Sequence, residues 1–173
     1  IASCLVGSEM CIRDRHIDDE EGEIALCILS AINVGTIRAI DDLEELCELA
    51  VRALEEIIDY QKYPIKAAEK STKARRSLGV GYIGLAHFLA KNKANYADPK
   101  AWKLVHDLSE AFQYYLLKAS NKLAQERGAC EYFDRTKYSD GILPIDTYKT
   151  DVDSIVENKL NYDWDSLRSD IKE

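Results

Sequence analysis

The sequence predicts an α-rich α/β piece with one or two buried strands. Residues 24–29, "IALCIL", are a continuous apolar run of strand length. Residues 41–61 carry apolar side chains at steps of three and four, and Asp98 to Gly128 bound a second, longer helix between a start and a stop signal. With 173 residues, 46% of them hydrophobic, the chain can bury a real core, and its length fits one domain.

The apolar run lacks alternation, which predicts a strand covered on both faces, although periodicity alone leaves a buried helix turn open. It follows an acidic loop, "HIDDEEGE" (16–23), and ends near Gly35. In "DDLEELCELAVRALEEIIDYQ" (41–61), Asp41 is placed to cap a helix, with Glu44 three residues on. Its apolar stripe is Leu43, Leu46, Cys47, Ala50, Val51, Leu54, Ile57 and Ile58, so Cys47 reads as core. Pro64 opens a more basic helical segment toward Arg75.

"SLGVG" (77–81) is strand-like, and "YIGLAHFLAK" (82–91) has helical spacing that stops near Asn92. Gly79, Gly81 and Gly84 form a G-x-G-x-x-G. The apolar strand before Gly79 is too short for a dinucleotide fingerprint, and that reading is rejected. His87, inside "LAHFLA", reads as a satisfied, half-buried histidine, since no second ligand sits at a useful spacing.

Asp98-Pro99 is an N-cap followed by proline at the first helical position, and Gly128 is a C-cap. Between them Leu104, Val105, Leu108, Ala111, Phe112, Tyr115, Ala119 and Leu123 predict a long buried stripe. The aromatic residues there are read as packing rather than as a stacking surface for bases. "DRTKYSDGILPIDTY" (134–148) is turn-rich, and short amphipathic pieces follow around Val152 and Trp164.

A formal charge of −8 argues against a surface for phosphate backbones, so no nucleic acid is expected. No apolar run is long enough for a membrane span. The five cysteines (Cys4, Cys11, Cys27, Cys47, Cys130) are odd in number and form no CxxC pair. This fits a reducing, cytoplasmic setting and argues against zinc. "LVGSEMCIRD" (5–14) reads like a translated adapter. Residues 1–15 are therefore expected to be non-native, with the authentic chain running from about His16 to Glu173 and no role for Cys4 or Cys11. A metal-bearing helical bundle would need Glu-x-x-His pairs, which are missing. Taken alone, these features leave the function open.

Four colinear stretches resemble one family. "GEIALCILSAINVG" (22–35), "RRSLGVGYIGLAHFLAK" (75–91), "EAFQYYLLKASNKLAQERGAC" (110–130) and "FDRTKYSDGILPIDTYK" (133–149) are similar to the large, catalytic subunit of class I ribonucleotide reductase. The resemblance implies a partial segment of a ten-stranded α/β barrel, helix-rich, cut from a much longer protein and inert by itself.

It also implies that Cys27 is one of two thiols that reduce the substrate ribose, its partner lying outside this chain. Cys4 does not match the family's radical cysteine, because Ala2 and Val6 stand where Asn and Glu are required. The parent would bind ribonucleoside diphosphates and nucleotide effectors such as ATP. It would take its radical from a metal-containing small subunit, be re-reduced by thioredoxin or glutaredoxin, and form a homodimer; the fragment itself would hold no cofactor. The alternative is a non-enzymatic helical interaction module with Cys27 as core packing.

Overall fold

The computed structural model describes residues 22–148, 151 and 159–173, so the adapter-like residues 1–15 and the piece around Val152 lie outside the described residues. Strand β1 (Ile28–Asn33) is followed by helices α1 (Asp42–Tyr60) and α2 (Lys66–Arg75), then by strand β2 (Leu78–Ile83). Among the described residues there follow a short helix α3 (Leu85–Lys91), the long α4 (Pro99–Arg127), 3-10 turns at Phe133–Arg135 and Pro144–Thr147, and α5 (Trp164–Lys172). β1 and β2 pair in parallel, Ile28 opposite Leu78 and Leu29 opposite Gly79. Parallel neighbours require a crossover, which α1 and α2 supply.

Strand β1 starts four residues later than the apolar run does. Arg76 takes a left-handed conformation (φ 47°) as α2 ends, and the Ile28 N–H reaches the Ser77 carbonyl at 3.4 Å. β2 therefore begins at Leu78, and among the described residues those before Ile28 have no strand to pair with. Arg76 is fixed by the Glu55 carboxylate and by Asp59 at 2.7 Å.

The expectation of a strand covered on both faces is also corrected. Ile32, Val34 and Leu78 are buried in the core, with Ile28, Val80 and Tyr82 packed against it. The opposite face carries Leu29, Ala31 and Asn33, all exposed, and Leu29 is 73% accessible. No described element covers that face, so an apolar run composed for two-sided burial is here buried on one side.

The helices lie on the core side. Leu43, Cys47, Val51, Leu54 and Ile58 form the buried stripe of α1, while Ile57 turns out to be exposed. Each fully buried Leu, Val or Ile contributes about 1.5–3 kcal/mol. Asp41 occupies the N-cap position without a side-chain cap. Asp42 instead fastens the turn ahead of the helix, accepting from the Arg38 and Ala39 N–H groups at 2.8 and 3.3 Å. Those two backbone bonds hold its carboxyl below the usual carboxylate range.

α4 starts at Pro99 and ends on Gly128, as its punctuation predicts. It runs alongside α1 in the same direction. Glu44 meets Lys118, Glu48 meets Lys122 and Arg52 meets Glu126, each pair 74 residues apart. These exposed pairs set the register more than the stability. Phe112 of α4 packs edge-on against Tyr82 of β2, ring centroids 5.3 Å apart, which fixes the helix over the sheet.

α5 docks on α4 through a second small cluster of Leu117, Leu143, Trp164 and Leu167. Among the described residues no helix is long and apolar enough to cross a membrane.

Candidate redox site on the uncovered sheet face

Cys27 stands one residue ahead of the paired ladder rather than within it. It is half-buried, and its Sγ lies 3.9 Å from the Ile28 carbonyl oxygen. Alternation puts it on the same face as Leu29, Ala31 and Asn33. The face continues across β2 with Gly79, Gly81 and Ile83, the last 56% accessible. The residues that share this face with Cys27 are thus mostly small or apolar.

The segment leading to Cys27 is tied down from two sides. The Ile24 N–H donates to the Ala67 carbonyl at 3.2 Å. Glu23 accepts from the Arg75 guanidinium and, at 3.1 Å, from the Tyr132 hydroxyl. Burial alone would raise the Glu23 carboxyl, but these two bonds and the charges of Arg75 and Arg135 outweigh it and hold it below the usual range. The Tyr132 ring is flanked by the Arg75 and Arg135 guanidiniums at 5.1 and 3.7 Å. This anchor was not read from the sequence: Glu23 looks like part of a solvated acidic loop, and its partners lie 52 and 109 residues away.

The other end of the sheet closes tightly. Gly84 adopts φ +80°, and a Cβ there would stand 2.4 Å from Asn33 Oδ1, so only glycine fits the turn into α3. Gly79 and Gly81 lie inside β2, not in a phosphate-cradling turn, which agrees with rejecting the dinucleotide reading. His87 is exposed rather than half-buried, because α3 turns only Phe88 and Leu89 into the core. Among the described residues no three His, Cys, Asp or Glu side chains are grouped to hold a metal ion. A cavity of about 430 Å³ between α3 and α4, lined by Leu85, Leu89, Tyr96, Trp102, Val105 and His106 among others, does not include Cys27.

The cysteines separate by environment. Cys47 is fully buried in the main core, and loss of solvation pushes its thiol up to about 12. Burial also raises Cys130. A thiol held protonated in an apolar core is a poor nucleophile and a poor exchange partner. Cys27 is the cysteine of the described residues that stands on the uncovered sheet face.

A parallel strand pair backed by helices on one face, with a cysteine beside the other face, defines an α/β segment. The family model for the ribonucleotide reductase barrel domain matches residues 6–173, and the chain belongs to that family. It is 60% identical over 159 residues to the ribonucleoside-diphosphate reductase subunit alpha of Haemophilus influenzae, covering 92% of this chain and 21% of that protein. Against the subunit of the same name from Enterobacteria phage T4 it is 45% identical over 166 residues, 95% of this chain and 22% of the relative. The chain thus spans about a fifth of the length of these relatives.

The exposed sheet face has a direct consequence. Among the described residues the sheet has two strands with open edges and an apolar face, which invites pairing with a second copy. The 173-residue chain expressed alone is expected to self-associate, read by sedimentation velocity across a concentration series. A monodisperse, cooperatively melting monomer would show that nothing else is needed to cover Leu29 and Ile83.

Proposed function

We propose that the chain is the Cys27-bearing segment of the barrel in a class I ribonucleotide reductase large subunit, and that Cys27 is one of the two thiols that reduce the sugar. The observation that carries the reading is the position of Cys27. It stands on the uncovered sheet face, beside Gly79, outside the core that takes Cys47. The competing reading, a helical interaction module with Cys27 as packing, has that same observation against it.

The chemistry accounts for the need. With a radical formed at the sugar, the 2′-hydroxyl leaves as water, and carbon 2′ must gain a hydrogen. In sum, one C–OH and two thiols give one C–H, one water and one disulfide; the thiols are oxidised by two electrons and the sugar is reduced by two. A disulfide needs Cα atoms about 4.4–6.8 Å apart. Rigid strand ends meet that demand better than free loops. The Glu23 anchor and the β1–β2 ladder hold the Cys27 backbone from both sides.

In the parent, the second thiol, the radical cysteine and the nucleotide sites would come from elsewhere in the subunit. The radical would be supplied by a metal-containing small subunit, and the disulfide would be re-reduced by exchange with thioredoxin or glutaredoxin. The ten-stranded barrel, the homodimer, allosteric control by nucleotides, cytoplasmic location and inactivity of the isolated segment belong to the same proposal.

The test uses the complete holoenzyme with substrate and without external reductant. After one turnover the remaining thiols are alkylated and the disulfides mapped. Cys27 is expected in a disulfide with a cysteine outside these 173 residues. A Cys27 that stays fully alkylatable after product has formed would overturn the assignment.

A further inference from the structure

We infer that Gly79 is a positioning residue for the Cys27 thiol: the missing side chain at this position leaves the space in which Cys27 Sγ sits. The inference rests on the reading of Cys27 as a redox thiol and deepens it. A Cβ built on Gly79 would lie 3.1 Å from Cys27 Sγ and 2.5 Å from Leu29 Cδ2. The left-handed glycines of the described residues are Gly84, Gly128 and Gly141, so the backbone at Gly79 does not itself demand glycine. Glycine inside a strand is destabilising relative to residues with a side chain. At this strand position it is the neighbours that require it.

The two neighbours differ in how they can respond. Leu29 is 73% accessible, and its methyl is the far end of a flexible side chain free to swing away. Cys27 has a short side chain on a backbone pinned by the Ile28–Ser77 and Ile24–Ala67 hydrogen bonds and by Glu23. A methyl group at position 79 therefore displaces the sulfur by a few tenths of an ångström. Disulfide formation brings two sulfurs to about 2.05 Å at a defined dihedral angle. Such a displacement acts on the reductive step and not on substrate binding. Gly81 supplies the comparison, since a Cβ there meets nothing within 4 Å.

The experiment compares Gly79→Ala, Gly81→Ala and Cys27→Ser in the complete holoenzyme. For Gly79→Ala, the melting temperature is expected to equal or exceed that of the parent, with KM within about twofold. Its kcat should fall by about tenfold, together with the yield of Cys27 disulfide per single turnover. The fall should persist in Gly79→Ala/Leu29→Ala, where the contact with Leu29 is gone and the contact with the sulfur remains. Unchanged kcat in Gly79→Ala, an equal fall in Gly81→Ala, or recovery in the double variant would overturn the role of Gly79. If Cys27→Ser turns over normally, the redox-thiol reading fails first and carries this one with it. An inactive Cys27→Ser beside a fully active Gly79→Ala overturns the role of Gly79 alone.

Discussion

Cys27→Ser in the complete parent enzyme is expected to abolish multiple turnover while leaving the fold intact. Serine keeps the size of the side chain and, on the proposed redox role, removes the electron source for the sugar, because a hydroxyl cannot close a disulfide. The packing loss is bounded. Burying a hydroxyl without a partner costs about 1–3 kcal/mol, and less where water can reach it, as at the half-buried Cys27. Cys47→Ser is the mirror image. Its hydroxyl would sit in the fully buried core, so stability should drop by about 1–3 kcal/mol while turnover per folded enzyme stays close to normal. Cys130→Ser should likewise spare catalysis. Deoxyribonucleotide yield with a thiol reductant, set against thermal melting for each variant, separates the two effects. Near-normal multiple turnover by Cys27→Ser would make that cysteine packing.

The parts of this structure that depend on local signals were legible in the sequence. Asp98-Pro99 and Gly128 bound α4 because a fixed proline φ and a glycine terminus act within one turn. The stripe from Leu43 to Ile58 predicts α1 because helical spacing is a property of adjacent residues. What failed depends on a partner elsewhere. The start of β1 is set by where β2 emerges from α2, at Arg76 and Ser77, about fifty residues downstream.

The two-sided burial expected of β1 failed for a related reason: the composition of the run describes both faces, and the described residues supply a cover for one. At the site, the role proposed for Cys27 rests on resemblance, since five scattered cysteines look alike. The closeness of Gly79 to its sulfur follows from the register Leu29–Gly79, which no reading of either segment alone contains.

Glu110→Ala is expected to release α5 from α4. Glu110 sits in the middle of α4, only 6% exposed, where a lone carboxylate would be costly to bury. Its two oxygens are used by four donors from the chain that enters α5. They accept from the Asn161 N–H at 2.8 Å, the Asn161 side-chain amide at 2.8 Å, the Tyr162 N–H at 3.3 Å and the Trp164 indole N–H at 3.1 Å. Bonds to a charged acceptor are worth about 1.5–3 kcal/mol each, but these four act on one carboxylate and do not add. Asn161 is exposed, so water can replace part of the loss. The Trp164 indole is buried and would be left unpaired. The net cost is expected near 2–4 kcal/mol, concentrated locally.

Hydrogen exchange on the complete parent enzyme provides the readout. Amides of 161–172 should lose protection, while those of α1 and the centre of α4 keep it. Arg168, bound to the Asp146 carboxylate at 2.9 Å and to the Gly141 carbonyl at 2.6 Å, is the comparator. Its carboxylate partner is part-exposed, so Arg168→Ala should cost under about 1 kcal/mol. Equal loss of α5 protection in both variants, or none in Glu110→Ala, would show that the apolar contacts of Trp164 and Leu167 hold the helix without the carboxylate.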